Sequence, residues 1–110
     1  MEKYPNYGSL NQVCVIGHGT IGRGLVPLIR RHFNVEKITI IDPHPVYLPD
    51  QHENTEFLQI EVTRSNHREI LDQIFTKDKG FCVNVSIDVC SKMIMKFCQE
   101  RGILYIDSSN

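Results

Sequence analysis

Three glycines in the run "VCVIGHGTIGRGLVPLI" are spaced Gly17-x-Gly19-x-x-Gly22, between an apolar stretch and an amphipathic one. That spacing suits the binding of a diphosphate by the main chain. Gly17 permits a sharp turn, Gly19 lacks the Cβ that would hold a diphosphate off the backbone, and Gly22 lets a following helix press onto a strand. The amides of Thr20 and Ile21, at the start of that helix, would point at phosphate oxygens with the helix dipole behind them. No lysine follows in the G-x-x-x-x-G-K-[ST] pattern, so a nucleoside-triphosphate loop is disfavoured.

A second group belongs with the turn. Asp42 closes "KITIID", 20 residues after Gly22. A carboxylate at the end of the next strand accepts hydrogen bonds from the ribose hydroxyls of NAD and repels a 2′-phosphate. Taken alone, Asp42-Pro43 also reads as the opening of a turn. Combined with the glycines and a strand–helix–strand frame, it makes NAD the expected cofactor.

Further along, "FCVNVSIDV" places Asn84, Val85 and Ser86 after a fourth apolar run. In a doubly wound sheet the first and fourth strands flank the crevice where a ligand crosses. These three residues would then lie opposite Gly17 and Gly19, near the nicotinamide half. Asn84 and Ser86 have the groups to bond the cofactor; Ser86 or Asp88 could equally cap the next helix, and both roles can coexist. Asp107 and Ser108 end the last run on the same edge, facing either a ligand or a simple turn. His18, inside the glycine turn, is a secondary candidate because it would sit near phosphate. His44 and His52 fall in a proline-rich loop, and His32 and His67 read as helix-surface residues. Cys14, Cys82, Cys90 and Cys98 form no C-x-x-C pair and lie in apolar patterns, so they read as four reduced, buried thiols, with Cys90 and Cys98 sharing a helix face. No metal site emerges, and no catalytic residue can be named from spacing.

The elements that must position these groups alternate along the chain. Residues 12–16 form a short β-rich run. Residues 21–33 follow with Ile21, Leu25, Leu28, Ile29 and Phe33 at helical spacing, although Pro27 predicts a bend there. Residues 37–41 are β-branched, "DPHPVYLPD" is a loop by its prolines, and 56–62 alternate as a strand. Ile70, Leu71, Ile74 and Phe75 make a helical stripe, capped by Thr63 or Ser65. Residues 81–85 are a strand; 88–100 are a helix with Met93, Ile94 and Phe97 on one face, stopped by Gly102; and 103–106 are the last strand. The order β-α-β-β-α-β-α-β implies right-handed crossovers. The expected class is therefore α/β: a Rossmann-like, doubly wound, mainly parallel sheet of about five strands with helices on both faces.

Composition allows this and excludes other classes. The 110 residues suit one domain, residues 1–110 reading as a single NAD-binding unit. A net charge of −1 supplies no basic field, so charge-driven nucleic-acid binding is excluded. No apolar stretch approaches the roughly 18 residues of a membrane span. The polar start "MEKYPNYGSLNQ" carries no signal-peptide core, and a cytoplasmic protein is expected.

Together, "VIGHGTIGRGLVPLIRRHF", "ITIIDPHP", "FCVNVSIDVCS" and "GILYIDSS" resemble the N-terminal part of the bacterial homospermidine synthase family, relatives of saccharopine dehydrogenase. The resemblance runs from about Val13 onward, and "NVSIDVCS" and "LYIDSS" are its more discriminating stretches. It implies that NAD serves as a reversible hydride acceptor while two amines, putrescine being the type substrate, are joined into homospermidine with release of ammonia. By position in the family, Gly17, Gly19, Thr20, Ile21, Gly22, Asp42, Asn84, Ser86 and Asp107 match cofactor-side residues. Family members are several times longer, with their amine-binding groups mostly beyond this stretch. The chain is thus expected to be a cofactor domain of a longer enzyme, binding NAD weakly and catalysing nothing alone; a homodimer is left open. Two other readings share the glycine turn: the NAD domain of a saccharopine-type amino-acid dehydrogenase, and a regulatory nucleotide-sensing module.

Overall fold

The computed structural model describes residues 8–45, 54–86 and 89–108. Within them run β1 (Ser9–Ile16), α1 (Thr20–His32), β2 (Asn34–Ile41), β3 (Thr55–Leu58), α2 (His67–Ile74), β4 (Gly80–Asn84), α3 (Ser91–Arg101) and β5 (Leu104–Asp107). The strands form one sheet in the order β3-β2-β1-β4-β5, every neighbouring pair parallel. This is the expected doubly wound α/β architecture. β1 lies at its centre, and the order reverses between β1 and β4, which puts a crevice at their carboxyl ends.

Alternation along the strands divides the core into two. Val13, Val15, Ile38 and Ile40 face α1 and pack with Ile29. Cys14, Ile16, Ile41 and Cys82 face the other way, against Leu71 of α2 and Ile94, Phe97 and Cys98 of α3. Because β1 is covered on both sides, "VCVI" is uninterrupted by polar residues, as expected of a parallel central strand. Each fully buried side chain of this size contributes roughly 1.5–3 kcal/mol. Arg30 Nη1 donates to Asn54 Oδ1 at 2.8 Å, and Asn54 Nδ2 donates to the Val35 carbonyl at 3.1 Å, tying α1 to the start of β3.

Several boundaries differ from the sequence expectation. β1 and β2 begin earlier, at Ser9 and Asn34, because those residues extend the ladder. The third strand stops at Leu58 instead of continuing to Val62, since its partner ends opposite it: Leu58 pairs with Ile41, and the Asp42 amide takes the Leu58 carbonyl at 3.2 Å. α1 runs through Pro27 as one helix. The N-cap of α2 is Asn66 and not Thr63 or Ser65; its Oδ1 accepts the Thr63 amide at 2.7 Å, looping the chain ahead of the helix. α3 starts at Ser91 with Cys90 as its N-cap, so Ser86 does not cap it. Asp88, together with His52 and residues 46–53 of the proline-rich loop, lies outside the described residues. Gly102 ends α3 in the left-handed region at φ 69°, as its position predicts.

Two side-chain expectations are corrected. Cys90 is exposed, because as N-cap it stands outside the helical face; only Cys14, Cys82 and Cys98 are buried. His67 is buried at 7% exposure, its ring turned back so that Nδ1 lies 3.1 Å from the Arg64 carbonyl.

Candidate cofactor site

The carboxyl ends of β1, β2 and β4 bring the glycine turn, Asp42 and residues 84–86 to one edge of the sheet. Gly17 leaves β1 at φ +98°, a conformation that side chains disfavour. A Cβ there would also stand 2.9 Å from the Ser86 amide nitrogen, so the turn passes directly over the end of β4. The Gly17 amide donates to the Ile41 carbonyl at 2.7 Å, fastening the turn to β2. Gly22 is crowded in a different way: a Cβ would meet the Gly17 carbonyl oxygen at 2.5 Å, with Val85 Cγ2 the nearest side-chain atom at 3.5 Å. The first turn of α1 can therefore rest on the loop only because position 22 has no side chain.

Gly19 stands in contrast. A Cβ there has nothing within 4 Å. Gly19 is the N-cap of α1, and it supplies no side-chain cap; the first turn contains no acid. At this end of the helix the Arg23 amide donates to the Gly19 carbonyl at 3.0 Å. The amides of Thr20, Ile21 and Gly22 precede it and have no carbonyl behind them within the helix. The result is an uncapped helix N-terminus beside open space, at the mouth of the central strand, which is where a diphosphate is best held.

Asp42 does more than end β2. Its Oδ2 accepts the His18 amide at 2.8 Å, while Oδ1 accepts the His44 amide at 2.9 Å and lies 3.2 Å from His44 Nδ1. Burial pushes its carboxyl up, but the amides of His44 and His18 and the His44 ring outweigh that and hold it below the usual carboxylate range. An ionised carboxylate offers about four acceptor positions, so sugar hydroxyls can still be received. His18 is held below its ordinary value by burial and by Arg23, with Asp42 opposing. Its Nδ1 is sealed from solvent without a hydrogen-bond partner, an orphaned polar atom on the same turn.

On the β4 side, the Val85 amide bonds the Ile16 carbonyl at 2.9 Å and holds the two strand ends together. The Asn84 side chain is 2% exposed and turned inward. Its Oδ1 accepts the Ser86 amide at 3.1 Å, and Nδ2 donates to the Val89 carbonyl and the Tyr105 hydroxyl, both at 3.4 Å. Asn84 thus shapes the turn that carries Ser86. Asp107 sits beside Asn84 at the end of β5, one strand farther from the glycines, and the Ser108 amide bonds the Asn84 carbonyl at 3.2 Å. The roles of His44, the His18 amide and Tyr105 were missed from the sequence. The signal for the first was local: a residue two after an aspartate is where its carboxylate accepts a backbone amide.

These features fit a nicotinamide dinucleotide: open space beside Gly19, helix amides with no carbonyl behind them, and an acid one strand over. No group of three or more His, Cys, Asp or Glu suited to a metal occurs among the described residues, and none of their helices is long and apolar enough to cross a membrane.

Comparison with known proteins agrees with this reading. Residues 13–110 match the family described as the saccharopine dehydrogenase NADP binding domain. A homospermidine synthase of Mesorhizobium japonicum is 40% identical over 114 aligned residues, covering 97% of this chain and 23% of that protein. A homospermidine synthase of Blastochloris viridis is likewise 40% identical, over 98% of this chain and 24% of its own length. The chain spans about a quarter of the length of these curated relatives.

Proposed function

The chain belongs to the saccharopine dehydrogenase NADP-binding-domain family, and we propose that it is the NAD-binding domain of a homospermidine synthase. The enzyme would join two amines, putrescine the type substrate, with release of ammonia. When bound, the nicotinamide supplies a reversible hydride acceptor. The residues of this chain bind and orient. Gly19 admits the diphosphate to the main chain, and the amides of Thr20, Ile21 and Gly22 meet its charge. Asp42 receives the ribose hydroxyls. Val85 and Ser86, held by Asn84, lie on the β4 side of the crevice toward the nicotinamide half, with Asp107 beyond.

One observation supports this reading above the others: the open, uncapped corner at Gly19 stands directly beside an acid whose carboxylate already holds the turn. The acid also favours NAD over NADP, because a 2′-phosphate would be brought against a fixed negative charge. The family description names NADP, and that keeps a saccharopine-type dehydrogenase as the second reading. Calorimetry with NAD and NADP on the chain and on Asp42→Ala decides the cofactor. NAD is expected to bind more tightly, with the preference eroded by the substitution; equal binding by the unsubstituted chain would overturn the role of Asp42. Ammonia release from putrescine by the protein of the full reading frame tests the activity.

A further inference from the structure

Two large apolar side chains of the edge strand face solvent: Leu104 is 64% exposed and Ile106 56%. Their placement follows from register. Leu104 pairs with Phe81 and Ile106 with Val83, while the alternate residues Tyr105 and Asp107 pair with Cys82 and Asn84. Tyr105 packs against the core shared with α2 and α3, and Phe81 against the core shared with α1. Leu104 and Ile106 therefore lie on the α1 face of the sheet, but α1 packs over β1 and β2.

Handedness explains why this face stays bare. A right-handed connection from β1 to β2 runs in one direction along the sheet and puts α1 on one face. The connections from β3 to β4 and from β4 to β5 run in the opposite direction, which puts α2 and α3 on the other. A further parallel strand added beyond β5 by the same rule would place its helix with α2 and α3 too. Such a continuation leaves Leu104 and Ile106 uncovered, and an element from outside the alternating pattern is what could cover them.

We propose that this face of β4 and β5 seats an apolar element of the rest of the longer protein, the part corresponding to the remaining three quarters of the relatives. The proposal rests on the reading of this chain as one domain of a longer enzyme. It links that domain to the rest at an edge adjoining Asn84 and Asp107, so the cofactor crevice and the docking face share strands β4 and β5.

Thiol labelling tests it. Leu104→Cys and Ile106→Cys are made separately in a Cys90→Ser background, in the 110-residue chain and in the protein of the full reading frame, with exposed Lys92→Cys as reference. Cysteine at 104 or 106 is expected to react with maleimide as fast as the reference in the short chain, and at least tenfold more slowly in the long protein. Equal rates in both, in a long protein that still binds NAD, would overturn the docking face and leave the enzyme reading intact. Slow labelling of the short chain that speeds up on dilution would overturn it in favour of a second copy. A reading frame that stops at Asn110 would overturn both.

Discussion

Alanine at each of three glycines near the turn should give three different results, because the three sites differ in what surrounds them. At Gly22 the new Cβ would stand 2.5 Å from the Gly17 carbonyl oxygen, whereas real Cβ contacts essentially never fall under 3.0 Å. The turn and α1 must separate by at least the 0.5 Å difference. The obstacle is backbone, so no side-chain rotation relieves it. A gap of that size loosens the packing of Leu25 and Ile29 on the sheet. Overpacking of this kind costs about 1–3 kcal/mol. Gly24, in the same helix, has nothing within 4 Å of its notional Cβ. Both substitutions gain the same helical propensity, about 1 kcal/mol, so their difference isolates the clash. Thermal unfolding followed by circular dichroism should place Gly22→Ala about 4–12 °C below Gly24→Ala. Gly19→Ala meets no atom and keeps an ordinary backbone at φ −84°, so it should cost at most about 1 kcal/mol of stability. Its methyl group would nonetheless fill the space proposed for the diphosphate, and NAD affinity should fall by about tenfold or more, as for a lost interaction of about 1.4 kcal/mol. Equal melting temperatures for the alanines at 22 and 24, or undiminished NAD binding by Gly19→Ala, would refute the reasoning.

The Asp42 carboxyl is held below its ordinary value in the folded chain, so its contribution is fully present above the unfolded value, about 3.9, and is lost as pH falls through the lower folded value. The stability difference between the chain and Asp42→Asn, from denaturant titrations, should be flat from about pH 5 to 8 and shrink below about pH 4; a difference unchanged in acid would contradict it. Asn84→Ala leaves the Ser86 amide without its acceptor and should cost about 1–3 kcal/mol by chemical denaturation, a loss under 0.5 kcal/mol counting against the inward role of that side chain. In the native chain only the exposed Cys90 should react promptly with maleimide, its thiol held down chiefly by the Met93 amide; Cys14, Cys82 and Cys98 should react only on unfolding. Mass spectrometry finding a second modified thiol before unfolding would contradict that.

The fold was legible because its strong signals are periodic and its connections few. "VCVI" read as a buried strand and "KITII" as a β-branched, strand-like run, and both pack on two sides. Strand ends were harder to place, since a strand ends where its neighbour does: Val62 keeps its alternation and its burial, yet the pairing of β3 ends with Leu58. Cys90 and His67 were misjudged for a related reason. Each sits at a helix start, where the position is set by the turn leading in and not by the 3.6-residue period. The placement of the glycine turn and Asp42 at one edge of the sheet was readable from spacing, because a tight strand-to-helix turn demands particular residues at particular offsets. The hydrogen bond from the His18 amide to Asp42 was not, since it joins the ends of two strands and depends on how closely they lie.

That bond couples two tasks in a single side chain. The carboxylate that would read the sugar is also the latch that keeps the phosphate corner in shape, so neither task can be altered independently. A lineage moving toward a phosphorylated sugar could not simply discard the acid, because the corner would slacken in the same step. Some other group would first have to take over the grip on residue 18, and until then the charge at position 42 would, on the proposed reading, stand against that change.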